Sequence, residues 1–251
     1  MSGHSKWSKI KHQKGVADAS RGQLFTKLTR EIAVAVREGG SDPELNSHLR
    51  LAIQKARDSR MPLENIDRAI KKASGSTEAS NLVEMTIEGY GPGGTAIMVK
   101  ALTDNRNRTW QDIRNTFTRH GGNLGESGCV AWLFDHKGLI TIKADNLNTE
   151  DLALKAIDAG ADDVTVENGD VEIYTKPTEL EKVRTSLEAN NIPIASAELS
   201  IVPKTTIKLE EKAALQALKL LEKLEELDDV QQVSSNANFP NEIVERYRSQ
   251  T

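Results

Sequence analysis

Residues 138–203 read GLITIKADNLNTEDLALKAIDAGADDVTVENGDVEIYTKPTELEKVRTSLEANNIPIASAELSIVP, and the order of patterns inside this stretch decides the architecture. Leu139 to Ile142 reads as a strand, Thr149 to Ala159 as a helix, Val164 to Glu167 and Val171 to Thr175 as two strands, Pro177 to Asn190 as a second helix, and Ala197 to Val202 as a last strand. The order β-α-β-β-α-β is the split βαβ, or ferredoxin-like, arrangement.

The flanks of this module complement each other. Before it, Val83, Met85 and Ile87 alternate with Glu84, Thr86 and Glu88 as in a half-buried strand, and Thr95 to Leu102 reads as a second strand. A helix over Asn107 to His120, with Ile113 and Phe117 inward, and a strand over Cys129 to Phe134 make this piece β-β-α-β. After the module, Glu210 to Leu227 reads as a helix with Ala214, Leu218, Leu221 and Leu224 inward, followed by a strand-like run from Asp229 to Ser234. An α-β ending is what the earlier piece lacks, so residues 138–203 are read as an insertion in an α/β domain built from 82–135 and 204–240, with 241–251 as a C-terminal tail.

Toward the N-terminus the period becomes helical three times between residues 21 and 75. Leu24, Leu28, Ile32 and Val36 form one stripe, opened by a capping box at Ser20 and Gln23 and closed at Gly39 and Gly40. A second helix is expected from the Ser41-Asp42-Pro43-Glu44 signal, with Leu45, Leu49, Ile53 and Ala56 inward, and a third from Pro62 with Leu63, Ile66 and Ile70 inward. Short amphipathic helices must pack together to bury their stripes, which gives a three-helix domain. The fold class expected is α+β and multidomain: this helical domain, a second α/β domain, and a ferredoxin-like α/β domain inserted in the second.

Charge is spread unevenly over the 251 residues, whose net charge is −4. Residues 1–75 hold 15 basic and 8 acidic side chains (+7), residues 76–134 hold 5 and 6 (−1), and residues 135–251 hold 13 and 23 (−10). A polyanion must then be met mainly by the N-terminal third. Within the tail, residues 1–20, Lys6, Lys9, Lys11 and Lys14 offer ammonium groups to phosphates together with His12, and Trp7 offers a ring on which a base could stack. The competing reading is a solvated tail with Trp7 tucked onto its neighbour. Arg21, Lys27 and Arg30 extend the basic surface onto the first helix. Arg106 and Arg108 are a second candidate for phosphate contact, against a local alternative in which they pair with Asp104 and Asp112.

Other chemistries find little support. Gly89, Gly91 and Gly94 match G-x-G-x-x-G, but Pro92 interrupts the match and a β-branched run follows, so a hairpin turn is expected. His4, His12, His48, His120 and His136 lack metal-ligand spacing, and the single Cys129 reads as a buried small hydrophobe in a reducing, intracellular compartment. No nucleophile constellation or cofactor motif stands out, so no enzyme, metal or cofactor is expected. No apolar run is long enough for a membrane span, and no apolar h-region follows the first charges.

Gly3-His4-Ser5-Lys6-Trp7, Ile10-Lys11-His12-Gln13-Lys14, the run from Thr103 to Thr109, and Gly121-Gly122-Asn123-Leu124-Gly125 together resemble the YebC/PmpR family over essentially the whole chain. The resemblance implies a cytoplasmic, non-enzymatic, three-domain protein that binds nucleic acid. It leaves open a DNA-binding transcriptional regulator, an RNA- or ribosome-associated translation factor, and a protein-interaction adaptor whose acidic α/β domains bind a basic partner.

Overall fold

The structure, a computed structural model, describes residues 18–75, 81–143, 148–167 and 170–249. In chain order its elements are α1 (Asp18–Gly39), α2 (Ser47–Asp58), α3 (Leu63–Gly75), β1 (Val83–Gly91), β2 (Thr95–Thr103), α4 (Arg106–Arg119), β3 (Asn123–Leu124) and β4 (Phe134–Lys143). There follow α5 (Thr149–Ala159), β5 (Asp163–Glu167), β6 (Asp170–Thr175), α6 (Leu180–Ala189), β7 (Ser196–Pro203), β8 (Ile207–Lys208), α7 (Glu211–Glu225), β9 (Val230–Ser235), β10 (Ala237–Asn238) and α8 (Asn241–Ser249). The fold is α+β: three N-terminal helices, an α/β part, and a ferredoxin-like α/β part inserted within it. By packing, the described residues within 1–30, 77–135 and 202–251 form one compact unit, and those within 31–76 and 136–201 form another.

The first unit is built on a sheet of order β3-β1-β2-β9. β1 and β2 pair antiparallel from Val83 opposite Thr103 to Gly91 opposite Thr95, and β9 adds to the far side of β2. The glycines expected to turn a hairpin do so: a single 3-10 turn, Pro92–Gly94, joins the strands, with Gly93 and Gly94 in left-handed conformations that favour glycine. Ile97, Val99, Ile113, Phe117, Leu218, Leu221 and Phe239 belong to one buried core, so the C-terminal helix and strand do complete the earlier piece. Gly89 is required by close approach, because a Cβ there would sit 2.6 Å from the Asn123 carbonyl oxygen and 2.8 Å from the Phe117 ring.

One expected strand is absent. Residues 129–133 are turn and 3-10 helix (Ala131–Leu133), and the strand beside β1 is the two-residue β3. The cause is Glu88, whose carboxylate accepts hydrogen bonds from the backbone N–H groups of Gly128, Val130 and Ala131 at 2.7–2.8 Å. Donors gathered on one carboxylate cannot also form a strand ladder.

In the second unit the sheet order is β5-β6-β4-β7, which is strand order 2-3-1-4 within the inserted part and hence ferredoxin-like. β4 and β6 pair antiparallel from Gly138 opposite Thr175 to Lys143 opposite Asp170, and β5 and β6 form a hairpin. Ile140, Ile142, Leu152, Ala156, Ile173, Val183 and Leu187 fill its core, with Leu51 of α2 packed against it. Lys55 lies between Glu31 at 3.0 Å and Glu198 at 3.7 Å. Burial would lower the ammonium pKa, but the two carboxylates outweigh it and raise it.

Two helix starts differ from the sequence reading. α1 is already helical at Asp18, ahead of the expected cap at Ser20. α2 begins at Ser47 rather than Ser41, which leaves Leu45 85% exposed instead of inward. Asn46 is the reason: its side chain accepts from the Leu49 N–H as an N-cap, while its amide donates to the carbonyls of Ala35 and Gly40 and ties the α1–α2 turn.

Candidate nucleic-acid interface

Helix α4 combines a tightly held inner face with a basic outer one. Thr109, Ile113 and Phe117 recur every four residues and are buried, so the remaining positions face outward. Asn105 caps the helix by accepting from the Arg108 N–H at 3.1 Å. The helix contains four arginines and one acid, Asp112. Among the described residues, Arg106, Arg114 and Arg119 have no carboxylate within salt-bridge distance. The Arg114 guanidinium lies 5.2 Å from the centroid of the Trp110 ring, which is 41% exposed.

The first turn of α4 is fixed by a carboxylate distant in sequence. Asp229, almost fully buried just before β9, accepts from Arg108 at 2.7 Å, from the Thr109 hydroxyl at 2.6 Å and from the Thr103 hydroxyl at 3.2 Å. Its other oxygen accepts from Arg30 of α1 at 2.8 Å. Burial alone would raise the Asp229 pKa, but the Thr109 and Arg108 hydrogen bonds and the two guanidinium charges outweigh it and hold the carboxyl below its ordinary range. Lys27, one turn before Arg30, donates to the Glu225 carbonyl at the end of α7.

The candidates named from sequence are therefore placed unequally. Lys6, Trp7, Lys9, Lys11, His12 and Lys14 lie outside the described residues. Arg21 is exposed on α1, whereas Lys27 and Arg30 are half-buried and committed to carbonyls and to Asp229. Arg106 is exposed at the start of α4, and Arg108 pairs with Asp104 at 2.9 Å as well as with Asp229. Arg30 and Arg108 are thus brought to one carboxylate that no sequence signal marked, because Asp229 sits in an acidic run like any solvated one.

Glu88 was equally hidden, since alternation along β1 reads it as a solvent-facing position. It is buried, and although burial would raise its pKa, the three backbone donors hold it below the ordinary range. The segment it organises presents Trp132, 66% exposed, whose indole N–H donates to the Cys129 carbonyl, as does the Tyr90 hydroxyl. Cys129 is half-buried rather than fully buried, and burial together with the nearby Glu88 charge raises its thiol pKa, which disfavours the thiolate. No helix among the described residues is long and apolar enough to cross a membrane.

Comparison with known proteins covers nearly the whole chain. Residues 5–76 match the model of the TACO1/YebC protein N-terminal domain, and residues 82–237 match that of the TACO1/YebC second and third domain. A protein of Dehalococcoides mccartyi strain BAV1, named as a probable transcriptional regulatory protein, is 59% identical over 250 residues and covers all of both chains. One of the same name from Natranaerobius thermophilus is 49% identical, with 98% of this chain and 99% of that one covered. The crystal structure of a conserved hypothetical protein from Aquifex aeolicus superimposes with a TM-score of 0.86 at 50% identity, covering 94% of this chain and 97% of the other. With both family models matched in chain order and relatives alike from end to end, this chain belongs to the TACO1/YebC family.

Proposed function

We propose that this protein is a nucleic-acid-binding regulatory protein that acts by binding rather than catalysis. The observation that carries the reading is the outer side of α4, where Arg106, Arg114 and Arg119 stand without an acidic partner among the described residues. Guanidinium groups in that state suit phosphate oxygens; Arg106 and Arg114 stand within about 80° of each other round the helix, while Arg119 lies about 140° further round, on the side of Asp112. The basic tail, with Lys6, Lys9, Lys11 and Lys14, adds charge of the same sign. Relatives named as probable transcriptional regulatory proteins favour transcription as the process; duplex DNA as the target and the cytoplasm as the location complete the proposal. A second reading, an RNA- or ribosome-associated translation factor, is favoured by the exposed Trp110 ring beside Arg114.

The test is a salt series on the full chain with mixed-sequence duplex DNA and with structured RNA. Each phosphate contact contributes about −0.9 to the log–log slope on duplex DNA and about −0.7 on single strands. Replacing Arg106, Arg114 and Arg119 together by Ala should flatten the slope by up to about three contacts. Wild-type slope and affinity in that variant would remove α4 from the interface, and a wild-type chain that bound neither polymer would refute the reading. Crosslinking in cells then separates the processes, by whether promoter DNA or ribosomal RNA is recovered.

A further inference from the structure

The open edge of β5 is, we infer, a docking site for an extended basic segment of another protein, which adds to the ferredoxin-like sheet as a further strand. The inference is independent of the nucleic-acid reading above. In the order β5-β6-β4-β7, β5 has β6 on one side and no strand on the other among the described residues. The backbone N–H of Val164 donates to the Asp163 carboxylate at 2.9 Å and so points away from β6. The period of two turns the N–H of Val166 to the same open side, together with the carbonyls of both valines. Backbone groups set out along an edge in this way are a template for an added strand.

Side chains along this edge decide what kind of strand it accepts. Val164 and Val166 share the face of the sheet that α5 covers; Val164 packs against the core, whereas Val166 is left 52% exposed. Helix α5 lies over β5 and β6. Its flank toward α6 is marked by the half-buried Ala153 and by Gly160, where a Cβ would sit 3.8–3.9 Å from Lys182 and Val183. Asp158 stands roughly 140–160° round the helix from both, and so on the side of the open edge. Asp158 and Asp163 have no cation within salt-bridge distance among the described residues, while Asp151 and Asp162 are paired with Lys155 and Lys137 at 2.8 Å. The edge thus offers an exposed apolar side chain and two uncompensated carboxylates. A strand that alternates apolar and basic residues satisfies both, with an apolar side chain beside Val166 and cations beside the acids. The same two charges disfavour the rival occupants, because a second copy of β5 brings carboxylates against carboxylates and a nucleic acid brings phosphates against them.

The test uses the full chain and fluorescence anisotropy with a labelled peptide of alternating Lys and Val. Its controls are a peptide of alternating Glu and Val, and two forms of the Lys peptide methylated on one or the other alternate set of backbone nitrogens. The Lys peptide should bind and should slow hydrogen exchange at the Val166 amide. Methylating one set should weaken binding at least about tenfold and methylating the other much less, since only one edge of the peptide meets β5. Asp158→Lys combined with Asp163→Lys, both at exposed positions, should weaken it at least about fivefold. Failure of the Lys peptide to bind, equal binding of the Glu peptide, equal losses for the two methylated forms, or unchanged exchange at Val166 would each overturn the assignment. Sedimentation of the chain alone reads the rival occupant: a dimer dispersed by Val166→Lys would give the edge to a second copy instead. Slowed exchange at Val166 on adding duplex DNA would overturn the assignment in the same way.

Discussion

Replacing Asp229 tests whether one buried carboxylate ties the start of α4 to α1. Four hydrogen bonds end on it, two from guanidinium groups and two from threonine hydroxyls. A hydrogen bond to a charged group contributes about 1.5–3 kcal/mol and a neutral one about 0.5–1.5 kcal/mol, but summing all four would overshoot, because the donors find other partners. The Arg108 side chain is 47% exposed and regains water, and Thr109 still has the Asn105 carbonyl at 3.1 Å. Arg30, at 23% exposure, loses most. Breaking a fully buried ion pair costs about 3–5 kcal/mol; with this much exposure we expect Asp229→Ala to cost about 2–4 kcal/mol and Asp229→Asn, which keeps an acceptor, about 1–2 kcal/mol. The pH dependence has a definite sign. The native carboxyl has a lowered pKa, so as pH falls the unfolded chain takes up the proton first. The stabilisation is therefore complete above the ordinary carboxylate range and is lost as pH drops through the native value. Urea unfolding of the full chain, followed by circular dichroism at neutral pH and through the acid range, reads both effects. If Asp229→Asn stayed within about 0.5 kcal/mol of wild type and kept the same acid slope, the anchoring role would be wrong.

Two further replacements probe what holds the first unit. Glu88→Gln sets an amide NH2 where three backbone N–H donors converge, so it should cost about 1–3 kcal/mol and speed hydrogen exchange at Gly128, Val130 and Ala131; unchanged exchange at those amides would exclude Glu88 as their organiser. Gly89→Ala places a methyl 2.6 Å from the Asn123 carbonyl oxygen and 2.8 Å from the Phe117 ring, which should cost about 1–3 kcal/mol and lower Tm, and a wild-type Tm would show that β3 can move aside freely.

Periodicity made most of the architecture readable. The β-α-β-β-α-β order between 138 and 203 and the helix-plus-strand ending after 204 depend on runs of apolar residues, and those runs are buried as expected in Ile140, Ile142, Leu218 and Leu221. Leu63, expected inward, is 61% exposed at the start of α3, and two further errors fell where a polar side chain, rather than an apolar stripe, decides the backbone. Asn46 outcompetes the Ser41-Asp42-Pro43 signal for the start of α2, and Glu88 withdraws the donors that the apolar run at 129–134 needed to be a strand. Asp229 belongs to the same class, and its partners Arg30 and Arg108 are far from it in sequence, so neither charge counting nor spacing could join them. The Arg106 and Arg108 pair was legible as a basic loop, but its division into an outward arginine and an anchored one follows only from the fold.

The charge distribution then constrains how a chain of net −4 could meet a polyanion at all. Residues 135–251 carry −10, so at distances beyond the Debye length of about 8–10 Å their field is screened, and only at close range does the local sign matter. Along α4 that local sign is +3 over 14 residues, and in residues 1–75 it is +7. Long-range steering would then be weak and affinity would have to come from contact. The on-rate should be less salt-sensitive than for a uniformly basic protein, while the off-rate should respond to the arginines and to Trp110.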